Sequence, residues 1–217
     1  MPSIRILGGN HKQKSIQLPH HEGLRPTSHR VRQTAFDILV HRFYKERIGQ
    51  NETFSGLRIL DICAGLGGYG FEALSRGAHY VTFIEQAPSL AKQLSNVAGA
   101  WNVSDRVRVF SNAWPMPLGP GHQPYDILFF DPPYGQEDAA MIRMIGACAP
   151  WMIPTGILLV ESNHALPEIE GFSCVFVRTI GKKHLSFLQL IVEEPSAEED
   201  PQAVGKPSTT WGSIIPK

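Results

Sequence analysis

The sequence predicts an α/β fold in which a mostly parallel sheet is covered by helices on both faces. Apolar strand patterns alternate with helical patterns through the middle of the chain, which is typical of strands buried on both sides. A glycine-rich loop joins the first of these strands to the helix that follows it. Two strand patterns close the sheet region without a helix between them, and they predict a late antiparallel hairpin.

Residues 1–52 predict a small extension ahead of the sheet. Residues 4–18 resemble short strands around a Gly-Gly turn, which predicts a hairpin. Thr27 or Ser28 is placed to cap a helix, and apolar residues at helical spacing carry that helix to about Ile48.

Residues 53–193 carry the predicted sheet, and residues 194–217 form a proline-rich polar segment that predicts a disordered tail. The expected strands cover residues 57–62, 80–85, 106–111, 125–131, 156–161, 172–179 and 185–193. The expected helices between them cover residues 69–76, 88–100 and 138–151.

Composition narrows the classes of protein that fit. The three cysteines, Cys63, Cys148 and Cys174, lack C-x-x-C spacing, which argues against a disulfide framework or a zinc site and favours a reducing compartment. The N-terminus has no apolar segment typical of a secretory signal, and no apolar run is long enough to span a membrane. We therefore expect a cytoplasmic protein with no metal site and no membrane attachment.

The net charge of zero conceals an asymmetry. Residues 1–47 carry nine Lys/Arg against three Asp/Glu, a formal charge of +6, whereas residues 193–217 have a formal charge of −3. A basic segment is typical of a protein that contacts a phosphate backbone, and it is equally typical of a solvated surface. Lys12 and Lys14 are the candidate RNA contacts in the predicted hairpin.

The loop after the first sheet strand has the pattern G-x-G-x-x-G, formed by Gly65, Gly67 and Gly70. Glu85 ends the next strand, twenty positions after Gly65. Glycines let the backbone approach a ligand closely, and an acid at that spacing accepts hydrogen bonds from ribose hydroxyls. The layout predicts a cofactor that carries an adenosine, and both NAD(P) and S-adenosylmethionine qualify.

Two residues favour S-adenosylmethionine. Asp61 lies at the strand end where the loop begins, and a carboxylate there suits the ammonium of a methionyl group better than a pyrophosphate. Asn112 follows the third strand, and its amide can donate to and accept from the edge of an adenine.

The string Asp131-Pro132-Pro133-Tyr134 follows the fourth strand. The two prolines can neither extend the ladder nor enter a helix, so they fix their neighbours at the strand end. We expect Asp131 and the carbonyl of Pro132 to accept the two N–H bonds of an exocyclic base amine, while Tyr134 stacks on the base. This arrangement orients a weak nucleophile toward an electrophilic methyl group.

Four strings of the sequence together resemble the RsmD type of ribosomal RNA methyltransferase: RILGGNHKQKSIQLP, LRPTSHRVRQTAFDIL, DICAGLGGYGFEALSRGA and DPPYGQED. The resemblance covers roughly residues 4–192. It implies a Rossmann-like class I fold with a seven-stranded sheet and S-adenosylmethionine as cofactor. It also implies an enzyme that methylates N2 of a guanine in 16S ribosomal RNA, with an assembling 30S subunit as partner. We expect the protein to be a monomer.

The resemblance assigns roles residue by residue. It implies that Asp131, Pro132, Pro133 and Tyr134 are catalytic. It implies a cofactor cleft formed by Asp61, Ala64, Gly65, Gly67, Glu85, Asn112 and Ala113. It makes Arg25, Arg30 and Arg32 candidate RNA or active-site contacts. The glycine-rich loop of residues 63–70, called the cradle below, departs from the family pattern. Gly68-Tyr69 replaces a more usual small-Leu pair, and Cys63 and Leu66 also differ.

Three other functions share parts of these patterns. An adenine-N6 methyltransferase acting on RNA or DNA would use the same Asp-Pro-Pro-Tyr motif. An NAD(P)-dependent oxidoreductase would use the glycine cradle but leaves that motif unexplained. A binding-only ribosome-assembly factor would need neither, and the intact Asp131 and glycines argue against it.

Overall fold

The computed structural model describes residues 3–17, 28–47, 52–132 and 137–192. Its strands are β1 (Ser3–Arg5), β2 (Ser15–Gln17), β3 (Arg58–Ile62), β4 (Tyr80–Ile84), β5 (Val107–Phe110), β6 (Tyr125–Phe130), β7 (Met152–Ser162), β8 (Phe172–Ile180) and β9 (Lys183–Leu190). Its α-helices are α1 (His29–Ile38), α2 (Gly68–Ser75), α3 (Pro88–Ala100) and α4 (Asp138–Gly146).

Seven strands form one sheet in the order β5-β4-β3-β6-β7-β9-β8. The strands from β5 to β7 are parallel, and β9 runs antiparallel to both β7 and β8. The chain moves outward from β3 to β5 and then crosses back to β6, so the strand order reverses between β3 and β6. Ligands bind at such a reversal, beyond the carboxyl ends of the strands. The predicted α/β class and late antiparallel hairpin are confirmed.

Side chains of β3 alternate between two cores, one on each face of the sheet. Ile59 belongs to the core under α1, α2 and α3, whereas Leu60 and Ile62 belong to the core under α4. Each fully buried Leu or Ile side chain contributes about 1.5–3 kcal/mol relative to an exposed one. Asp61 shares the face of Ile59 because successive side chains of a strand point to opposite faces. The alternation therefore directs Asp61 toward α2.

The N-terminal helix is shorter than predicted. Ser28 caps α1 through its hydroxyl, which accepts from the backbone N–H of Val31 at 3.2 Å. A π-helical turn and a 3₁₀ turn follow in place of a continuous helix to Ile48, and Ile48 itself lies outside the described residues. The extra residue of the π turn accompanies an inward Phe43 ring, which stacks on Phe187 at 5.4 Å. Tertiary packing overrides the helical period here.

A buried carboxylate docks the β1–β2 hairpin on the sheet. Glu72, in α2, is fully buried. Its Oε2 accepts from Leu7 N at 2.7 Å, and its Oε1 accepts from Gly8 N at 3.0 Å and from Arg76 Nε at 2.8 Å. Since α2 starts at the carboxyl ends of the strands, its last turn lies at their amino ends. The hairpin turn therefore lies at the amino edge of the sheet.

None of the helices in the part of the chain that the structure describes is both long and apolar enough to span a bilayer.

Candidate active site

The loop between β3 and α2 makes a tight turn next to the place where the strand order reverses. Cys63, Gly65 and Gly67 all have left-handed backbone, with φ of 56°, 54° and 74°. A Cβ added to Gly67 would lie 2.6 Å from Leu94 Cδ2, and one added to Gly70 would lie 2.3 Å from Phe83 Cε1. Glycine is therefore required for both the turn and the approach of α2 to the sheet. Cys63 holds a conformation that costs a non-glycine residue about 1–3 kcal/mol.

Glu85 ties this loop to the adjacent strand β4. Its Oε2 accepts from Gly65 N at 2.7 Å, and its Oε1 accepts from Ala87 N at 2.8 Å. The backbone N–H of Ala64 donates to Ile84 O at 3.0 Å. That Glu85 accepts from ribose hydroxyls stays a prediction; in the structure its carboxylate fixes the first glycine of the cradle. Each oxygen of a carboxylate has a second lone pair, so these bonds leave room for a ligand.

Asp61 is a buried acid at the centre of the carboxyl edge. It is 3% exposed, and its Oδ2 accepts from the backbone N–H of Gly70 at 2.8 Å. Burial raises the pKa of Asp61 well above its usual value; the charges of Asp131 and Glu85 act in the same direction, and the Gly70 bond opposes them. A cation beside this carboxylate would favour its ionised form. The donor set therefore fits a ligand that carries an ammonium group.

Asp131 lies beside the cradle. Asp61 pairs with Phe129 in the register of β3 and β6, so Asp131 follows two residues later on the same face. Burial raises the pKa of the Cys63 thiol to about 12, and the charges of Glu85, Asp131 and Asp61 contribute, which reflects how closely these groups lie. Pro132 is buried next to the half-buried Asp131. Pro133 and Tyr134 lie outside the described residues, so their roles stay predictions.

Asn112 and Ala113 follow β5 at the same edge. Both are exposed. Because β5 is parallel to β4, its carboxyl end lies beside that of β4, which leads into Glu85. The backbone N–H of Glu85 donates to Phe110 O at 3.0 Å, so the two strand ends are joined. The structure thus brings the predicted cofactor residues of three strands to one edge.

The predicted RNA contacts fall into separate places. Arg30 is exposed in the first turn of α1. Lys12 and Lys14 are exposed in the hairpin turn at the amino edge, where the Lys14 ammonium lies 5.3 Å from the centre of the Trp101 ring. Arg25 lies outside the described residues.

Arg32 corrects the sequence prediction. It is 1% exposed, and its guanidinium donates to the carbonyl oxygen of Arg5 in the hairpin. Burial lowers the pKa of Arg32, and the nearby Glu72 and Tyr69 oppose that shift. The prediction of an RNA contact at Arg32 is wrong for this structure, because the side chain is enclosed between the extension and α2. A surface pattern of alternating arginines does not reveal which of them a hairpin will cover.

Sequence reasoning missed Glu161, at the end of β7. Its Oε2 accepts from the Tyr69 hydroxyl at 3.1 Å, and its Oε1 pairs with Lys183 Nζ at 2.7 Å. The sequence does contain a signal that marks Glu161 as a candidate site residue, because it ends an apolar strand as Asp61 does. The contact with Tyr69, 92 residues away in sequence, was not available from the pattern.

A glycine cradle, strand-end acids and a strand-order reversal on this sheet define a Rossmann-like methyltransferase fold. Residues 4–189 match the family model described as "Conserved hypothetical protein 95". The chain therefore belongs to that family, the family of the RsmD-type ribosomal RNA methyltransferases.

Individual relatives agree with this assignment. The chain is 31% identical to "Ribosomal RNA small subunit methyltransferase D" of Haemophilus influenzae, over 82% of this chain and 89% of that protein. It is 31% identical to the protein of the same name from Escherichia coli K12, over 76% of this chain and 79% of that one. A solved structure described as "Putative methyltransferase yhhF from Escherichia coli" superposes with a TM-score of 0.72 at 24% identity, covering 88% of this chain and 100% of that chain.

Proposed function

We propose that this protein transfers a methyl group from S-adenosylmethionine to the exocyclic N2 amine of a guanine in 16S ribosomal RNA. The relatives named ribosomal RNA small subunit methyltransferase D support ribosomal RNA as the substrate. The observation that carries the proposal is the register of β3 and β6, which puts Asp131 two residues beyond the partner of Asp61 on the same face. Asp131, which would bind the amine, then lies beside Asp61, which would bind the cofactor.

Asp131 and the carbonyl of Pro132 would orient the amine. The lone pair of an exocyclic amine is delocalised into the base, so the amine is a weak nucleophile. Two acceptors that take its N–H bonds turn the nitrogen toward the methyl donor, and orientation of this kind supplies much of the rate. Positive charge develops on the nitrogen, and the ionised Asp131 stabilises it. Tyr134 would hold the base by stacking.

The residues of the carboxyl edge fit the cofactor. Asp61 would hold its ammonium group, because a buried acid with acidic neighbours is best stabilised by a cation. Glu85 would accept from ribose hydroxyls, Asn112 and Ala113 would contact the adenine, and Ala64, Gly65 and Gly67 would bring backbone close to the ligand. S-adenosylmethionine would supply an activated methyl group at this edge.

The RNA would contact the exposed cations of the extension. Arg30 and Arg32 both lie in the first turn of α1, and Nη1 of Arg32 lies 3.3 Å from where a Gly68 Cβ would be. The first turn of α1 is therefore near the N-terminus of α2, on the side of the cradle. Arg30 would contact the RNA there, together with Arg25, while Lys12 and Lys14 would contact it at the amino edge.

The test is to incubate the purified chain with small ribosomal subunits that lack the modification and with S-adenosylmethionine. Mass spectrometry of the nucleosides should then detect N2-methylguanosine. Detection of N6-methyladenosine instead would show that the protein is an adenine-N6 methyltransferase. Calorimetry should show binding of S-adenosylmethionine and none of NAD(P), and the reverse result would contradict the cofactor. The cytoplasmic location, monomeric state and assembling 30S particle stay predictions.

A further inference from the structure

The connection between β5 and β6 leaves part of the sheet without a helix. Residues 111–124 form this connection, all of them are described, and none is helical. Parallel strands are usually joined by a helix that covers one face of the sheet. In the described part of the chain, α4, which connects β6 to β7, is the one α-helix that packs on this face. The amino ends of β3, β4 and β5 therefore carry no described helix there.

Arg58, Tyr80 and Arg108 project from these amino ends on the α4 face. Arg58 precedes Leu60 by two residues and Arg108 precedes Phe110 by two, so each shares the face of a residue that packs in the core under α4. Arg58 pairs with Tyr80 in the register of β3 and β4. Arg58 and Tyr80 are half-buried, whereas Arg108 is exposed. Two cations and an aromatic ring thus line an open part of the sheet.

Aromatic rings hold both guanidinium groups in place. Cζ of Arg58 lies 5.1 Å from the centre of the Tyr80 ring and 5.3 Å from that of the Tyr125 ring. Cζ of Arg108 lies 4.6 Å from the centre of the Phe110 ring. A planar guanidinium that is already stacked loses little freedom when it binds an anion. Both groups are therefore pre-organised for a ligand.

Tyr125 connects the two arginines. Its hydroxyl donates to Thr82 Oγ1 at 2.7 Å, and Thr82 pairs with Arg108 in the register of β4 and β5. Burial raises the pKa of Tyr125, and the charges of Arg58 and Arg108 both oppose that shift, so both guanidinium groups lie near its hydroxyl. The two positive charges therefore belong to one site.

The positive charges of this site lack partners. Neither guanidinium forms a hydrogen bond or an ion pair with a residue that the structure describes, and Asp126 accepts from the backbone N–H of Arg58 instead. Within the described ranges, Nε of Arg58 and Nε2 of His122 are buried without a hydrogen-bond partner. Packing of the aliphatic stems explains why arginines cover this face, but it does not explain unpaired guanidinium groups. An anion would supply the partner.

The basic surface continues to the hairpin turn. Arg106 donates to the carbonyl oxygen of His79, which directly precedes Tyr80. Burial, then the charge of Lys14 and then that of Arg106 lower the pKa of His11 in the hairpin turn, so Arg106 lies near that turn as well. Positive groups thus follow one another along the amino edge, which suits an extended polyanion better than a single small anion.

We propose that Arg58, Arg108 and Tyr80 bind the phosphate backbone of the ribosomal RNA on the α4 face of the sheet. This inference rests on the proposed function, in which ribosomal RNA is the substrate. An arginine fork donates two parallel hydrogen bonds to a phosphate, and the Tyr80 ring offers a face on which a base can stack. The length of β3, about 16 Å, separates this surface from the carboxyl edge, so an extended RNA reaches both.

The test is the double substitution Arg58→Gln/Arg108→Gln, which removes both charges. Affinity for small ribosomal subunits that lack the modification is measured by co-sedimentation at several salt concentrations. It should fall about tenfold at low salt, and the slope of log affinity against log salt concentration should fall by about 1.4–1.8. Circular dichroism verifies that each variant is folded.

Two further variants separate charge from packing. Arg58→Lys/Arg108→Lys keeps both charges, so it should retain the salt slope and most of the affinity. Arg178→Gln is the matched control, because Arg178 is an exposed arginine on β8, the edge strand at the other side of the sheet from β5. It should leave the affinity and the salt slope unchanged.

Several results would overturn the inference. One is equal affinity and salt slope in wild type and the Gln pair. Another is a loss of affinity with an unchanged slope, because the contact would then be to a ribosomal protein and not to phosphate. A loss of equal size in the Lys pair would assign the effect to packing. Binding is measured without S-adenosylmethionine, so a wild type that binds through these arginines but leaves guanine unmethylated would overturn the proposed function alone.

Discussion

The two edges of the sheet differ in charge and in burial. The carboxyl edge gathers Asp61, Glu85, Asp131 and Glu161 on buried or half-buried backbone. The amino edge carries exposed cations of the hairpin turn, and Lys14 lies over an aromatic ring there. The strand β3 separates the two edges by about 16 Å.

The difference indicates a division of labour. Buried acids on strand ends are held within narrow limits, as orientation of reacting groups requires. Exposed lysines on a turn attract phosphates through charge, and this contact tolerates imprecise geometry. Substitutions at the carboxyl edge should therefore change kcat, whereas those at the amino edge should change affinity for RNA.

The largest effect is expected for Asp131→Ala. Loss of one of the two acceptors for the amine should lower kcat by about 10²–10³-fold. Cofactor affinity, measured by calorimetry, should stay within a few-fold, because the cradle is intact. The control is Asp105→Ala, an exposed acid at the amino edge. Equal loss of cofactor binding and kcat would show that Asp131 belongs to the cofactor site instead.

Gly70→Ala should weaken the cofactor cradle. The added Cβ would lie 2.3 Å from Phe83 Cε1, so α2 must move away from the sheet. Overpacking of this kind costs about 1–3 kcal/mol in the free energy of unfolding, and cofactor affinity should fall along with it.

The matched control is Gly146→Ala at the end of α4, where an added Cβ has open space. It should leave the cofactor affinity unchanged in the same calorimetric assay. Equal cofactor affinity in wild type and Gly70→Ala would contradict the close-approach argument for this glycine.

The sequence predicted Asp61, Glu85 and Asp131 as strand-end acids because each follows an apolar run, and parallel strands bring such ends together. It predicted α3 over residues 88–100 because Pro88 begins the pattern, and the structure agrees. It could not predict the burial of Arg32, because that depends on where the separate hairpin docks. It also could not predict the Tyr69–Glu161 bond, because no periodic pattern encodes a contact between α2 and β7.

The double substitution Lys12→Ala/Lys14→Ala tests the amino edge. Removing two exposed cations should weaken binding to ribosomal RNA by about tenfold at low salt and reduce the salt slope by about 1–2. The measurement is a filter-binding titration at several salt concentrations. Lys92→Ala, an exposed lysine on α3, is the control. A lowered kcat at saturating RNA would contradict the assignment of RNA affinity to the amino edge and of catalysis to the carboxyl edge.

The smallest effect is a pH dependence at His11, which stacks on Trp101 with centroids 5.2 Å apart. Burial, and then the charges of Lys14 and Arg106, lower the pKa of His11 from 6.5. The unfolded chain therefore binds the proton more readily, so stability should be lost as the pH falls below about 6.5. Urea unfolding between about pH 7.5 and 5 measures this loss.

His11→Gln should flatten that part of the pH profile, because the titrating group is gone. Lys14→Gln should flatten it in part, because one cause of the lowered pKa of His11 is removed. Parallel profiles for wild type and His11→Gln would mean that His11 titrates alike in the folded and unfolded chains. The pKa of His11 would then not report the positive charge at the amino edge. The salt dependence of RNA binding would be the remaining measurement that distinguishes the two edges.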